Sequence, residues 1–386
     1  MKTAYTNAKI YNTEKRAFED STLYVEDGII IAPCTPDNTV DCGGAYMMPG
    51  LVDVHSHGRI SIDGGSANAD QLCDLAKSYA AAGTTSIMVT FMSVPLEWYA
   101  PAIDSTVAAK AHQDKEVIGA NILGIHFEGR YINVKKKGAH QPKDIAPLSA
   151  EELTAHVERM KSGDSTLNRF HITCAPELEG GEEFVKTAVS LGVTVGIGHS
   201  NATFDECMTA IKWGARSFTH LYNAMSAMSH REPGCVGAGL VSDAYAELIC
   251  DGYHVDPAVV KITYLTKQPD KLVLVTDSVP AAGMPLGVYK MGDSTCDTRN
   301  GKVGLLPDGV TINGSILDMF TAMKNFMSFT GITLEEAVPY ATINPARMVG
   351  ADDDVGSLEI GKFADFVLLS DDKQAIEKVY VRGSEV

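Results

Sequence analysis

Leu51-Val52-Asp53-Val54-His55-Ser56-His57 starts as a mainly apolar run and closes on two histidines one residue apart. A run that stays apolar at successive positions suits a strand buried on both faces, as in a parallel sheet; a half-solvated strand would alternate. Seven more such runs follow: 85–91 (TSIMVTF), 122–128 (ILGIHFE), 170–177 (FHITCAPE), 194–200 (TVGIGHS), 217–223 (SFTHLYN), 247–254 (ELICDGYH) and 272–278 (LVLVTDS). Amphipathic helical stretches lie between them. Residues 69–83 set Leu72, Leu75, Ala76 and Tyr79 on one face and stop at Gly83. Residues 149–163 open with a Ser149-x-x-Glu152 capping box and end at Gly163. Residues 182–192 and 204–214 likewise finish at Gly192 and Gly214. Eight strand–helix units over roughly 300 residues predict an α/β fold of the (β/α)8 barrel type rather than an open sheet.

The flanks have another texture. Residues 1–48 read as short strands with Asp-Gly turns, such as Leu23-Tyr24-Val25-Glu26-Asp27-Gly28-Ile29, and 351–386 do likewise through Phe366–Leu369 and Val379–Val381. The two ends are expected to pair into one small β-sandwich domain beside a catalytic barrel spanning 49–350. Residues 284–312, rich in Gly and Asp, read as a β-hairpin insertion after the eighth strand.

Composition narrows the function. The 386 residues carry 32 Lys+Arg against 49 Asp+Glu, a net charge of −17, with 45% apolar residues. That excludes a disordered chain and a basic nucleic-acid binder, though a local cluster could still hold one phosphate. No apolar run approaches the ~18 residues needed to span a bilayer, and nothing in the first residues reads as an export signal, so a cytoplasmic protein is expected. The eight cysteines are scattered without a Cys-x-x-Cys pair, which predicts reduced structural thiols and leaves any metal to His and carboxylate ligands.

Polar residues gather where the strands end. His55 and His57 close strand one, Glu128 strand three, and His199, His220 and Asp277 strands five, six and eight; His254 lies just past strand seven. In a barrel these ends share one face, the face on which active sites are built. Alternation puts the rings of His55 and His57 on the same side of their strand, at a spacing one metal can use. Imidazole and carboxylate ligands without thiolate suit Zn(II), Fe(II), Mn(II) or Co(II). Asp277, at the end of Val273-Leu274-Val275-Thr276, is placed to take a proton from water near that cation.

In order along the chain, PGLVDVHSHG (49–58), HFEG (126–129), KKGAH (136–140), APE (175–177), GHSNAT (198–203), THLYNAM (219–225), REPGCVGA (231–238), DGYHV (251–255), LVTD (274–277), NGS (313–315) and ATINPAR (341–347) resemble the amidohydrolase superfamily. Within it they are most similar to the family of N-acetylglucosamine-6-phosphate deacetylases. The resemblance implies metal-dependent hydrolysis of the acetamide of a phosphorylated N-acetyl amino sugar. It implies zinc or iron, one or two per subunit, with Glu128, His199 and His220 holding one ion and His55 and His57 completing a second position. Asp277 would be the catalytic acid and base, and His140 would polarise the acetyl carbonyl. Sugar-phosphate contacts would come from Ala139, Asn223, Ala224, Arg231, His254 and the Ile312-Asn313-Gly314 turn. Arg231 would reach the neighbouring active site of a homodimer. No nucleic acid and no membrane is implied as a partner.

Two features depart from the family pattern: Arg130 stands where a proline usually follows the Glu-Gly pair, and 58–63 lacks the expected glycines. Arg130 near the mouth would add a phosphate or carboxylate contact, or change which sugar fits. The alternatives are therefore another N-acetyl amino sugar such as the galactosamine isomer, another amide, or a non-catalytic barrel. Lys135-Lys136-Lys137 reads as a solvated loop, Met225 and Met228 as loop packing, and Gly234-x-x-Gly237-x-Gly239 is not a dinucleotide loop because no strand feeds it.

Overall fold

In the computed structural model of the chain, which describes residues 1–291, 294–307 and 309–386, eight parallel strands pair in sequence order. They are Leu51–Ser56, Thr84–Phe91, Asn121–Glu128, Arg169–Cys174, Thr194–Ile197, Ser217–Phe218, Tyr245–Ile249 and Leu272–Val275. The ring closes between the eighth and first strands, where Ser56 bridges Ser278 and the Asp277 N–H donates to the His55 carbonyl at 2.9 Å. The bond that closes the barrel therefore also sets Asp277 beside His55.

Every residue of strands two and three is buried, which is why these runs do not alternate. Outward-facing Phe127 packs on Tyr99 (4.6 Å between ring centroids), Phe170 (4.7 Å), His156 (5.3 Å) and Phe91 (5.5 Å). Burying such a ring contributes about 1.5–3 kcal/mol, and by alternation it turns His126 and Glu128 into the barrel.

Helix Ala69–Ala81 starts at Asn68, whose capping box with Gln71 was not foreseen, and Phe204–Trp213 runs from a Thr203/Glu206 capping box to Gly214 at φ +114°. The box expected at Ser149 is half formed. Ser149 Oγ accepts the Glu152 N–H (3.2 Å), but the Glu152 carboxylate accepts from Tyr131 Oη (2.9 Å) instead of returning to the cap.

Both termini build a second, eight-stranded sheet. Strand Lys2–Asn12 pairs along its length with Ala17–Glu26, while its other edge takes Asn38–Asp41 and then Tyr46–Pro49, to which Phe366–Leu369 and the last strands are added. The sheet so forked closes on a core of Tyr5, Leu23, Val25, Met47, Phe366 and Tyr380, with the last two rings stacked at 4.5 Å. It is tied to the start of the barrel strands. Asn121 Nδ2, at the head of strand three, donates to Asp365 Oδ2 (2.6 Å), and the Gly50 N–H donates to the Asp365 carbonyl.

The insertion after strand eight holds strands Val288–Met291, Ser294–Asp297 and Gly304–Leu305 in one antiparallel sheet, a hairpin plus a third strand. Of the expected 284–312 segment, Gly292, Asp293 and Asp308 lie outside the described residues.

Candidate active site and metal centre

Most of the strands are shorter than their apolar runs, and several candidate residues stand just beyond them. His199, His220 and Asp277 each lie two residues past the last strand residue, at φ +47°, +34° and +49°. A left-handed residue breaks the ladder, and at these three non-glycine positions it turns the side chain across the mouth. Glu128 ends strand three and is followed by Gly129 and Arg130, both at positive φ.

These turns bring one constellation together. Glu128 Oε1 lies 2.8 Å from His220 Nε2 and 3.0 Å from His199 Nε2, and those two nitrogens are themselves 3.0 Å apart. Glu128 Oε2 lies 3.0 Å from His57 Nε2 and 3.5 Å from His140 Nε2. Asp277 Oδ1 is 3.3 Å from His57 Nε2 and 3.5 Å from His55 Nε2. All of these side chains are buried.

The donor set fits a divalent cation. His199 Nδ1 donates to the Lys136 carbonyl at 2.8 Å, so its Nε2 carries a bare lone pair that faces a carboxylate oxygen. Two acceptors 3.0 Å apart repel unless a cation lies between them. His55 Nε2 is buried without a hydrogen-bond partner, and it faces both Glu128 and Asp277. Behind it, His55 Nδ1 donates to Glu247 Oε2 (3.0 Å), a buried carboxylate that also accepts the His220 N–H (3.3 Å). Such a carboxylate–histidine pair fixes which ring nitrogen faces the metal.

Burial works against ionising Glu128, but the surrounding imidazoles of His140, His199, His220 and His55 hold its carboxyl well below the ordinary range. For Asp277 the same opposition is outweighed by the His55 and His57 rings, which hold it low. Burial pushes His140 down to about 4, so this ring is neutral. Burial also opposes protonation of His254, yet Asp251, 2.6 Å from its Nδ1, raises it.

A cavity of about 270 Å³ opens above this floor. His57, Glu128, Ala139, His140, His199, His220, Asn223, Ala224, His254, Asp277, Ile312, Asn313 and Gly314 line it, with Met92, Gly138, Val279 and Thr311. His55 stands behind the floor. Arg231 is exposed and outside the lining of its own chain's cavity.

Two expectations are corrected. Arg130 does not reach the cavity; its Nε lies 3.4 Å from Glu152 Oε2, because φ +32° turns the side chain toward helix Ala150–Lys161. Met228 does not pack the loop but is exposed, whereas Met225 is buried. In the lysine run, Lys135 is solvated, but the Lys136 carbonyl is the one that orients His199. Sequence reasoning also missed Glu247 and Ser93. A lone glutamate heading the apolar run 247–250 was a readable signal; Ser93 offered none.

The amidohydrolase family pattern matches residues 46–386. The chain is 33% identical over 402 residues to N-acetylglucosamine-6-phosphate deacetylase of Danio rerio, covering 100% of this chain and 96% of the relative. It is also 33% identical to N-acetylgalactosamine-6-phosphate deacetylase of Escherichia coli O157:H7, over 96% of each chain. Among solved structures it resembles a variant N-acetyl-D-glucosamine-6-phosphate deacetylase from Mycobacterium smegmatis in complex with N-acetyl-D-glucosamine-6-phosphate. The TM-score is 0.86 at 28% identity, covering 100% of this chain and 99% of that one.

Proposed function

The chain belongs to the amidohydrolase family, and we propose from that premise that it hydrolyses the acetamide of N-acetyl-D-glucosamine 6-phosphate to D-glucosamine 6-phosphate and acetate. The observation that carries the reading is Asp277, ionised and 3.3 Å from His57, on the floor of the cavity that Glu128 and the paired His199 and His220 also line, with polar walls that suit a sugar. Glu128, His199 and His220 would hold the first metal ion, and His55 and His57 would complete a second position. Zinc or iron suits these ligands. When bound, the ion supplies Lewis acidity to the acetyl carbonyl and to water.

The chain's own residues supply the rest. Asp277, held as the carboxylate, takes a proton from the attacking water as its oxygen joins the acetyl carbon. The same proton goes to the departing sugar nitrogen as the C–N bond breaks. His140 donates a hydrogen bond to the carbonyl oxygen as charge develops there. Asn223, His254 and the 312–314 turn would orient the sugar.

Among the described residues the cavity lining holds no lysine or arginine, so a dianionic phosphate needs a cation from elsewhere. We assign that role to Arg231 of a second copy, since a guanidinium grips phosphate bidentately and this one is exposed outside its own cavity. The assignment makes the enzyme a homodimer. Eight free cysteines, seven of them buried, suit a reducing compartment and hence the cytoplasm, and no helix among the described residues is long and apolar enough to cross a membrane.

The test is acetate release from N-acetylglucosamine 6-phosphate by metal-loaded protein, beside the unphosphorylated sugar and the galacto epimer. Phosphate-dependent turnover that prefers the gluco sugar supports the reading. Preference for the galacto epimer would move the specificity while keeping the chemistry, and no turnover of any of the three would remove the reaction.

A further inference from the structure

We propose that Ser93 is a positioning residue that holds His140 with its ring proton on Nε2, so that His140 meets the substrate as a donor and not the metal as a ligand. The proposal deepens the function above and rests on it for the role of His140.

The partners behind each ring sort the histidines of this site. His199 Nδ1 faces the Lys136 carbonyl and His55 Nδ1 faces the Glu247 carboxylate, both of which only accept. Those two rings must therefore carry hydrogen on Nδ1 and present a bare Nε2 to the centre. His140 is built the other way round. Its Nδ1 faces the Ser93 backbone N–H at 3.3 Å, which only donates, and Ser93 Oγ at 2.9 Å. That Oγ accepts the Arg130 N–H at 2.9 Å, and because the Ser93 backbone N–H requires a bare Nδ1, the hydroxyl hydrogen turns to the same nitrogen. With two donors aimed at it, Nδ1 is bare and the hydrogen sits on Nε2. Nε2 is on the cavity side, 3.5 Å from Glu128 Oε2.

Distance alone would make His140 a ligand, because Glu128, His140 and His199 present atoms within 4.8 Å of one another. A nitrogen bearing hydrogen has no lone pair to offer a cation, so the tautomer removes His140 from the ligand set and leaves it a fixed hydrogen-bond donor.

Gly129 supports the same arrangement independently. It sits at φ +102°, and a Cβ there would stand 2.4 Å from Ser93 Oγ and 3.0 Å from His140 Cε1. The missing side chain at Gly129 thus leaves room for this contact, and Ser93 and His140 are only 7% and 2% exposed.

The test reads the ring directly, by nitrogen-15 NMR of histidine-labelled, zinc-loaded protein, with the His140 signals assigned from the His140→Gln variant. Wild type should show a protonated Nε2 and a bare Nδ1 at His140, and Ser93→Ala, which keeps the backbone N–H but loses the hydroxyl donor, should show a measurable share of the other tautomer. In that variant kcat should fall by roughly tenfold or more, short of the 10²–10³-fold loss typical of deleting an oxyanion donor outright, with KM and zinc content unchanged. A protonated Nδ1 in wild type, or wild-type kcat in Ser93→Ala, would overturn the proposal. So would zinc lost in proportion to activity, because that marks His140 as a ligand. The wild-type spectrum requires neither a variant nor a substrate. Absence of acetate release by the wild type would thus break the function and leave the tautomer to be judged by itself.

Discussion

The rim of the barrel and the seam where the terminal sheet joins it use the same ingredients to opposite ends. In the terminal sheet, left-handed residues occupy turns that call for them: Asp27 (φ +50°) and Gly28 (+82°) form a two-residue hairpin between strands Ala17–Glu26 and Ile29–Ile31. At the rim the same conformation falls on His199, His220 and Asp277, where chemistry rather than turn formation gains from it. Ile60 (+48°) and Ser61 (+65°), between the short strands Gly58–Arg59 and Ile62–Asp63, make such a turn without a glycine; a β-branched residue there is strained.

Buried aspartates repeat the contrast. Asp277 is surrounded by imidazoles and stays ionised. Asp365 at the seam is equally enclosed, but burial outweighs its bonds from the Arg382 N–H and Asn121 Nδ2, and its carboxyl is raised to about 7. Neighbours, not burial, decide which aspartate can act as a base.

That comparison can be broken most sharply at Asp277. Asp277→Asn should bind metal and melt as wild type does while turnover drops about 10²–10⁴-fold; near wild-type steady-state rates would show that another group moves the proton. Stripping the metal tests the rim as a structural unit. A chelator should abolish activity and lower the melting temperature, because free metal at 100 times its Kd contributes about 2.7 kcal/mol. An unchanged melting curve would mean that the site is not organised around an ion.

At the seam the sign is reversed. With a folded pKa near 7 against 3.8 unfolded, the native state binds more protons between those values, so the Asp365 contribution to stability falls as pH rises from about 4 to 7 and then levels. The difference in unfolding free energy between wild type and Asp365→Asn should fall by a few kcal/mol over that window, at about 1.36 kcal/mol per unit. A flat difference across urea melts at pH 4.5 and 7.5 would show that Asp365 stays ionised. The smallest effect is expected from Arg130→Ala, which keeps the N–H on Ser93 and loses only the contact with Glu152. Its stability should change by about 0.5 kcal/mol or less, with the gluco-to-galacto ratio unchanged; a shifted ratio would place the side chain in the cavity after all.

Strand runs and helix stops were readable because burial on both faces and left-handed glycines leave local marks, as at 85–91 and Gly214. His55, His57, Glu128, His199, His220 and Asp277 were readable because each follows an apolar run. The ring partners were not. Ser93 lies 47 residues from His140 and Glu247 lies 192 from His55, and nothing local marks such a pair. Arg130 was misread for a related reason: proximity to Glu128 in the chain says nothing of the direction in which φ +32° sends a side chain.

By itself, then, the sequence determined the barrel, the terminal sheet and the set of polar side chains at its mouth, because alternation, apolar length and turn chemistry act over a few residues. Only the tertiary structure decided which histidine nitrogen faces the centre, which aspartate stays ionised and where Arg130 points. Those depend on donors and acceptors brought together from distant strands, and a proton's position is set by whatever stands behind it in space.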